Sequence, residues 1–174
     1  GVLDGRETQY YEDGQVLSVI DYSKGILDGI YELNYPDGSP ERRGNYKKGF
    51  EEGALLSYHQ NGELRERAIF KKGIPTQPTE KYYASTKLQQ KKTFDKQGSP
   101  VLEINYFENG QVHFAINYLY NEAQGDVRIY REDGTLEEIR RFKDGKMTGK
   151  REFFDEKETL IMTEFYEKGN KINK

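Results

Sequence analysis

Few side chains in this sequence have the type and spacing that chemistry requires. There are two histidines, His59 and His113, and no cysteine. Without cysteine there is no thiol nucleophile, no Cys-ligated zinc and no disulfide framework. Two imidazoles this far apart along the chain make neither an acid–base pair nor a shared metal site. The phosphate-binding Gly-rich loop, Gly-x-Ser-x-Gly, His-Glu-x-x-His and the Asp-x-Asp-x-Asp-Gly calcium loop do not occur. Carboxylates are abundant but scattered, so a catalytic carboxylate pair has no visible basis. We assign no catalytic residue, no metal ligand and no cofactor, and expect the chain not to be an enzyme.

The side chains that do recur are aromatic. The 174 residues include 14 Tyr and 9 Phe but no Trp, and 34% are hydrophobic while 33% are charged. So many rings argue against disorder, and so few aliphatic residues argue against a thick two-layer core. A net charge of −3 and a pI near 5.6 give no support to strong nucleic-acid binding. No apolar run approaches the roughly 18 residues of a membrane-spanning helix. Gly1–Leu3 shows no signal-peptide pattern, although a signal, lipid anchor or further repeat could precede it.

A period of 24 residues sets the spacing of the aromatics. Seven units start at Gly5, Gly29, Gly53, Gln77, Val101, Gly125 and Gly149. Seventeen places into each stands a ring: Tyr22, Tyr46, Phe70, Phe94, Tyr118, Phe142 and Tyr166. Five places in stand Tyr10, Asn34, Tyr58, Tyr82, Tyr106, Tyr130 and Phe154. Eleven places in stand Val16, Pro40, Leu64, Leu88, Val112, Leu136 and Leu160.

Each unit reads as a β-hairpin. Its middle turn is Asp13-Gly14, Asp37-Gly38, Asn61-Gly62, Asn109-Gly110 or Asp133-Gly134, a strong hairpin signal. A second turn, such as Tyr22-Ser-Lys-Gly25 or Phe142-Lys-Asp-Gly145, follows the seventeenth position, and both turns are expected to have three residues. The expected fold is all-β: an elongated single-layer antiparallel β-meander of seven tandem 24-residue hairpins, forming one repeat array over residues 1–174. By strand parity, positions 5, 11 and 17 should share one buried face, with Tyr10 opposite Val16, Tyr58 opposite Leu64 and Phe154 opposite Leu160. The fourth unit, residues 77–100, is atypical. Thr86 replaces the turn glycine, Gly98 comes one place late, and Pro75, Pro78 and Pro100 cluster around it. That marks a bulge, a local bend or a hinge between units 1–3 and 5–7.

Two further rows are candidate binding surfaces. Six places in lie Tyr11, Tyr35, His59, Tyr83 and Phe107, followed by Arg131 and Asp155. These rings either pack along the turn edge or form an exposed strip that grips a partner. The opposite turns carry Lys47, Lys48, Lys71 and Lys72. They form either a merely solvated edge or a basic one able to meet an acidic partner or anionic lipid.

Tyr-x-Asp/Asn-Gly, then an aliphatic residue, then Tyr/Phe-x-x-Gly and a further Gly resembles the MORN repeat variant, from Gly5 to about Asn173. The variant includes bacterial YwqK-type antitoxin-like proteins. The resemblance implies a hairpin array that serves as a binding or scaffolding surface, sometimes at membranes or in toxin neutralisation, and carries over no catalytic residue. The absence of Trp departs from the better-known MORN repeat.

The expected function is therefore a non-enzymatic protein-interaction or scaffolding module, with a protein partner that could be a toxin. The alternative is peripheral attachment to a membrane or cell envelope through the lysine edge. Nucleic acid is not an expected partner, and the resemblance suggests the bacterial cytoplasm or cell envelope. An enzyme with a site between units would need a pocket of convergent, desolvated polar groups.

Overall fold

The computed structural model describes residues 1–173. Among them are eighteen β-strands and no helix, and the strand pairings are antiparallel. The chain divides into two compact units, Gly1–Thr86 and Lys87 onward. The first holds β1 (Gly5–Tyr10), β2 (Val16–Ser23), β3 (Ile26–Asn34), β4 (Pro40–Lys47), β5 (Phe50–Glu51), β6 (Gly53–Tyr58), β7 (Leu64–Lys71), β8 (Ile74–Pro75) and β9 (Thr79–Tyr82). The second holds β10 (Leu88–Phe94), β11 (Pro100–Tyr106), β12 (Val112–Leu119), β13 (Glu122–Tyr130) and β14 (Leu136–Lys143). It continues with β15 (Lys146–Met147), β16 (Gly149–Phe154), β17 (Leu160–Glu167) and β18 (Asn170–Ile172). Within each unit the strands follow one another as a meander.

Middle turns are three-residue loops, as the Asp/Asn-Gly signal requires. Tyr11 N donates to Gln15 O and Gly14 N to Tyr11 O, with Gly14 at φ 86. That is a type I turn closed by a residue in the left-handed region. Tyr10 pairs with Val16, Tyr58 with Leu64 and Phe154 with Leu160, the register that the spacing predicts.

The other turns differ from expectation. Ser23 pairs with Ile26, Lys47 with Phe50 and Lys71 with Ile74, leaving only two residues in each turn. Lys24, Lys48 and Lys72 have φ of 50, 51 and 53, and the glycines after them are also positive. Two successive positive φ values define the type I′ turn, whose twist matches the flanking strands.

The single buried face is also corrected. Next to the Tyr10–Val16 pair stands Gln9–Ser18, so Leu17 is an extra residue in β2. Glu41, Arg65, His113, Glu137 and Ile161 are inserted in the same way. Each bulge shifts strand parity by one. The row at position 17 therefore faces away from positions 5 and 11. Neither face is dry: the seven rings of that row are half-buried, and Tyr10 is 61% exposed. Among the described residues the buried apolar side chains are Ala68, Val127 and Ile129.

In the fourth repeat Thr86 N donates to Tyr83 O and Gly98 N to Asp95 O, and in the fifth Gly110 N donates to Phe107 O. Three loops of the first kind thus follow at half-repeat spacing. Gly98 comes one place late because a three-residue loop stands where other repeats use the two-residue turn. At the start of the second repeat, Gly29 has φ 128, and a Cβ there would stand 2.7 Å from the Cβ of Asp21. No other residue fits so close a strand crossing.

Candidate functional site

The row six places into each unit stands one residue past the fifth-position strand end, where the chain enters the middle turn. From there its side chains reach the next repeat. The Tyr11 hydroxyl donates to Asn34 O at 2.7 Å, the Tyr35 hydroxyl to Tyr58 O at 2.8 Å, and His59 Nε2 lies 2.8 Å from Tyr82 O. Arg131 continues the pattern with a hydrogen bond to Phe154 O and another to Asp155 O at 3.2 Å. Each polar head thus satisfies a carbonyl at the end of the neighbouring repeat's strand. Burial pushes the Tyr11 hydroxyl pKa up, and Glu41, Asp13 and Asp37 add to this.

Tyr83 is half-buried beside the Thr86 turn. Phe107 has no polar head, and its ring packs on His113 with centroids 4.4 Å apart. His59 belongs to the first unit and His113 to the second. Asn61 and Asn109 add a second reach. Their Nδ2 groups donate to Ala84 O and Glu132 O at 3.0 and 2.6 Å, while their Oδ1 atoms accept a backbone N–H inside their own turn.

On the opposite edge, Lys47, Lys48, Lys71 and Lys72 are all exposed, and among the described residues none forms an ion pair. Lys47 and Lys71 stand directly across the turn from Phe50 and Ile74 and so share a face with them. Ile26, Phe50 and Ile74 occupy the same place in three successive repeats and are 51%, 57% and 40% exposed. Spacing alone did not mark this apolar row. The residue after each Lys-Gly or Lys-Lys-Gly was the signal available.

Several carboxylates are ion-paired across the strands. Glu138 is buried and accepts from Arg140 at 2.6 Å and Arg151 at 2.5 Å. Burial alone would raise its pKa, but the two guanidinium groups more than offset this and hold it below the usual range. Glu103 behaves alike: desolvation is outweighed by Lys92, Asn105 and Tyr118. Glu164 is held low by Lys171 and Tyr166. Among the described residues no group of three His, Asp or Glu side chains is placed to hold a metal ion. A hollow of about 500 Å³ in the second unit is lined by Gln111, Asn117, Asp126, Arg128 and Tyr130, of which only Tyr130 is not exposed.

Residues 3–24, 27–48 and 51–72 match the family model for the MORN repeat variant. Each matched stretch ends on the positive-φ lysine of a type I′ turn, so the three matched stretches of the first unit end on its lysine edge. No protein of curated function matches the chain. Among solved structures, a mutant of S. aureus TarM in complex with fondaparinux, alpha-GlcNAc-glycerol and UDP aligns at TM-score 0.38 and 13% identity, over 70% of this chain and 21% of that one. The GtfA/B complex bound to UDP and GlcNAc aligns at TM-score 0.29 and 14% identity, over 65% of this chain and 22% of that one. The chain spans about a fifth of the length of either. Likeness at this level bears on neither activity nor partner.

Proposed function

We propose that the protein is a non-enzymatic interaction module whose first unit meets a protein partner through its lysine-lined turn edge. The observation that carries this is the row Ile26, Phe50 and Ile74, exposed beside four lysines that form no ion pair among the described residues. Exposed apolar side chains in register, rimmed by charge, are the usual makings of a contact surface. The six-place row is better read as scaffold, because its hydroxyl, imidazole and guanidinium groups are engaged with neighbouring repeats. A general acid needs a pKa near working pH; Glu103, Glu138 and Glu164 are held the other way and do not fit that role.

Capture from the native source tests the reading. A specific partner should be retained by wild type and by Tyr11→Phe, and lost on Phe50→Ser combined with Lys47→Ala and Lys71→Ala. Undiminished capture by the triple variant overturns it. Neutralisation of a toxin is a narrower form that rests on resemblance to the antitoxin-like proteins alone. A neighbouring toxic gene silenced by this protein would support it.

The same edge favours a second reading, peripheral attachment to an anionic membrane, with each near-surface lysine contributing roughly 1 kcal/mol. Flotation with anionic vesicles at low salt, lost at high salt, would support it. No flotation removes it.

A further inference from the structure

We propose that the first unit's lysine edge docks an acidic amphipathic helix, laid across the strands with one apolar residue per heptad on each repeat. This rests on the reading of that edge as the contact surface and adds the chemistry of the partner.

The apolar row is a closed ridge. A Cβ on Gly49 would stand 3.1 Å from Ile26 Cγ2, and one on Gly73 would stand 3.1 Å from Phe50 Cδ1. Val2 Cγ1 approaches Gly25 in the same way, at 2.9 Å. Val2, Ile26 and Phe50 therefore each lean over the glycine of the next turn and cover the gap between repeats.

The pitch of the ridge selects the partner. Equivalent turns lie two strands apart, and strands are spaced about 4.8 Å, so one anchor follows another at about 9.6 Å. A helix rises 1.5 Å per residue, so seven residues advance about 10.5 Å. Over three anchors the mismatch accumulates to about 2 Å, within the reach of a leucine side chain. An apolar seam repeating every seven residues thus meets Ile26, Phe50 and Ile74 in turn.

Charge selects the flanks. Lys47 and Lys71 stand beside the ridge, with Lys24, Lys48 and Lys72 at the turn tips. Acidic residues flanking the helix seam would pair with them and set its register. The pitch of the ridge matches a heptad, a spacing that a bilayer does not require, and this favours a helix over a membrane as occupant. The second unit has Glu122, Lys146 and Asn170 at the ridge positions, so the surface is confined to the first.

The test uses the full chain and a synthetic peptide about three heptads long, with Leu at every seventh position and Glu flanking it. The comparison peptide has the same composition with the Leu spacing scrambled. Anionic vesicles and analytical ultracentrifugation run alongside. The heptad peptide should bind at least about tenfold more tightly than the scrambled one, and Phe50→Ser or the pair Lys47→Glu and Lys71→Glu should weaken it about tenfold. Leu119→Ser in the second unit should leave it unchanged. Lys48→Asn, an αL-tolerant change, should weaken binding while the thermal melt stays intact, which separates contact from folding. Equal affinity for the two peptides overturns the helix but leaves the interaction surface standing. Vesicle binding without peptide binding overturns both readings in favour of a membrane. Self-association lost on Phe50→Ser makes a second copy the occupant and overturns the helix, as does binding to neither peptide.

Discussion

The Tyr11 hydroxyl donates to the main-chain carbonyl of Asn34, 2.7 Å away and 23 positions along the chain. Tyr35 repeats the bond on Tyr58, so each ring ties its own hairpin to the next. Removing one hydroxyl should cost about 1 kcal/mol, the net value of a neutral hydrogen bond. For a protein of this size that is a fall in Tm of roughly 2–4 °C. We expect Tyr11→Phe and Tyr35→Phe each to show it in thermal melts, and the double variant to show close to the sum. Unchanged melts would mean that water replaces the bond without loss.

How much of this was legible in the sequence can be judged from the same residues. The period of 24, the hairpins and the Tyr10–Val16 register follow from glycine and aromatic spacing alone. The two faces do not. Leu17 is an inserted residue, and a bulge leaves no mark on spacing because it recurs in successive repeats and the period stays even. The two-residue turns escaped notice because a lysine, not a glycine or asparagine, takes the first left-handed slot. The six-place ladder did leave a signal. Tyr11, Tyr35, His59 and Arg131 differ in shape but each carries a polar head that can reach one residue past the strand end.

Asn61 separates two roles that aspartate cannot combine. Its Oδ1 accepts from Glu63 N within the turn, and its Nδ2 donates to Ala84 O in the next repeat. Asn61→Asp keeps the first bond and loses the second, placing a carboxylate near a carbonyl. The expected loss is about 1 kcal/mol, with a larger loss for Asn61→Ala, where both bonds go. Urea denaturation of the three proteins checks the order. An aspartate variant as stable as wild type would remove the inter-repeat role.

Thr86 holds φ 68 in a loop where the other repeats of the first unit place glycine. A β-branched residue in the left-handed region is strained, at roughly 1–2 kcal/mol. Glycine relieves that strain but gives back about 0.5–1 kcal/mol in chain entropy. Thr86→Gly should therefore stabilise the protein slightly, by about 0.5–1 kcal/mol. Thr86→Ala, which retains a Cβ, should show little or no gain. A melt in which alanine matches glycine would place the cost elsewhere than in the backbone.

Glu138 gives the fold an acid limit. Its carboxylate is buried between Arg140 and Arg151, and its pKa is held below the ordinary value of about 4.3. The unfolded chain therefore takes up the proton first as pH falls. The contribution to stability is complete above the ordinary pKa and is lost as pH drops through the lower, folded value. Glu103, shifted in the same direction by Lys92, adds to the same limb. Glu138→Gln removes the charge but keeps the shape. Because Arg140 and Arg151 are themselves partly solvated, at 37% and 24% side-chain exposure, the cost at neutral pH should be about 1–2 kcal/mol rather than that of a fully buried pair. The variant should also flatten the fall in stability below about pH 4.3, because one of the groups that drives it is gone. Melts from neutral pH downward read both effects. A variant that loses stability equally at every pH would show that Glu138 acts by packing, not by its charge.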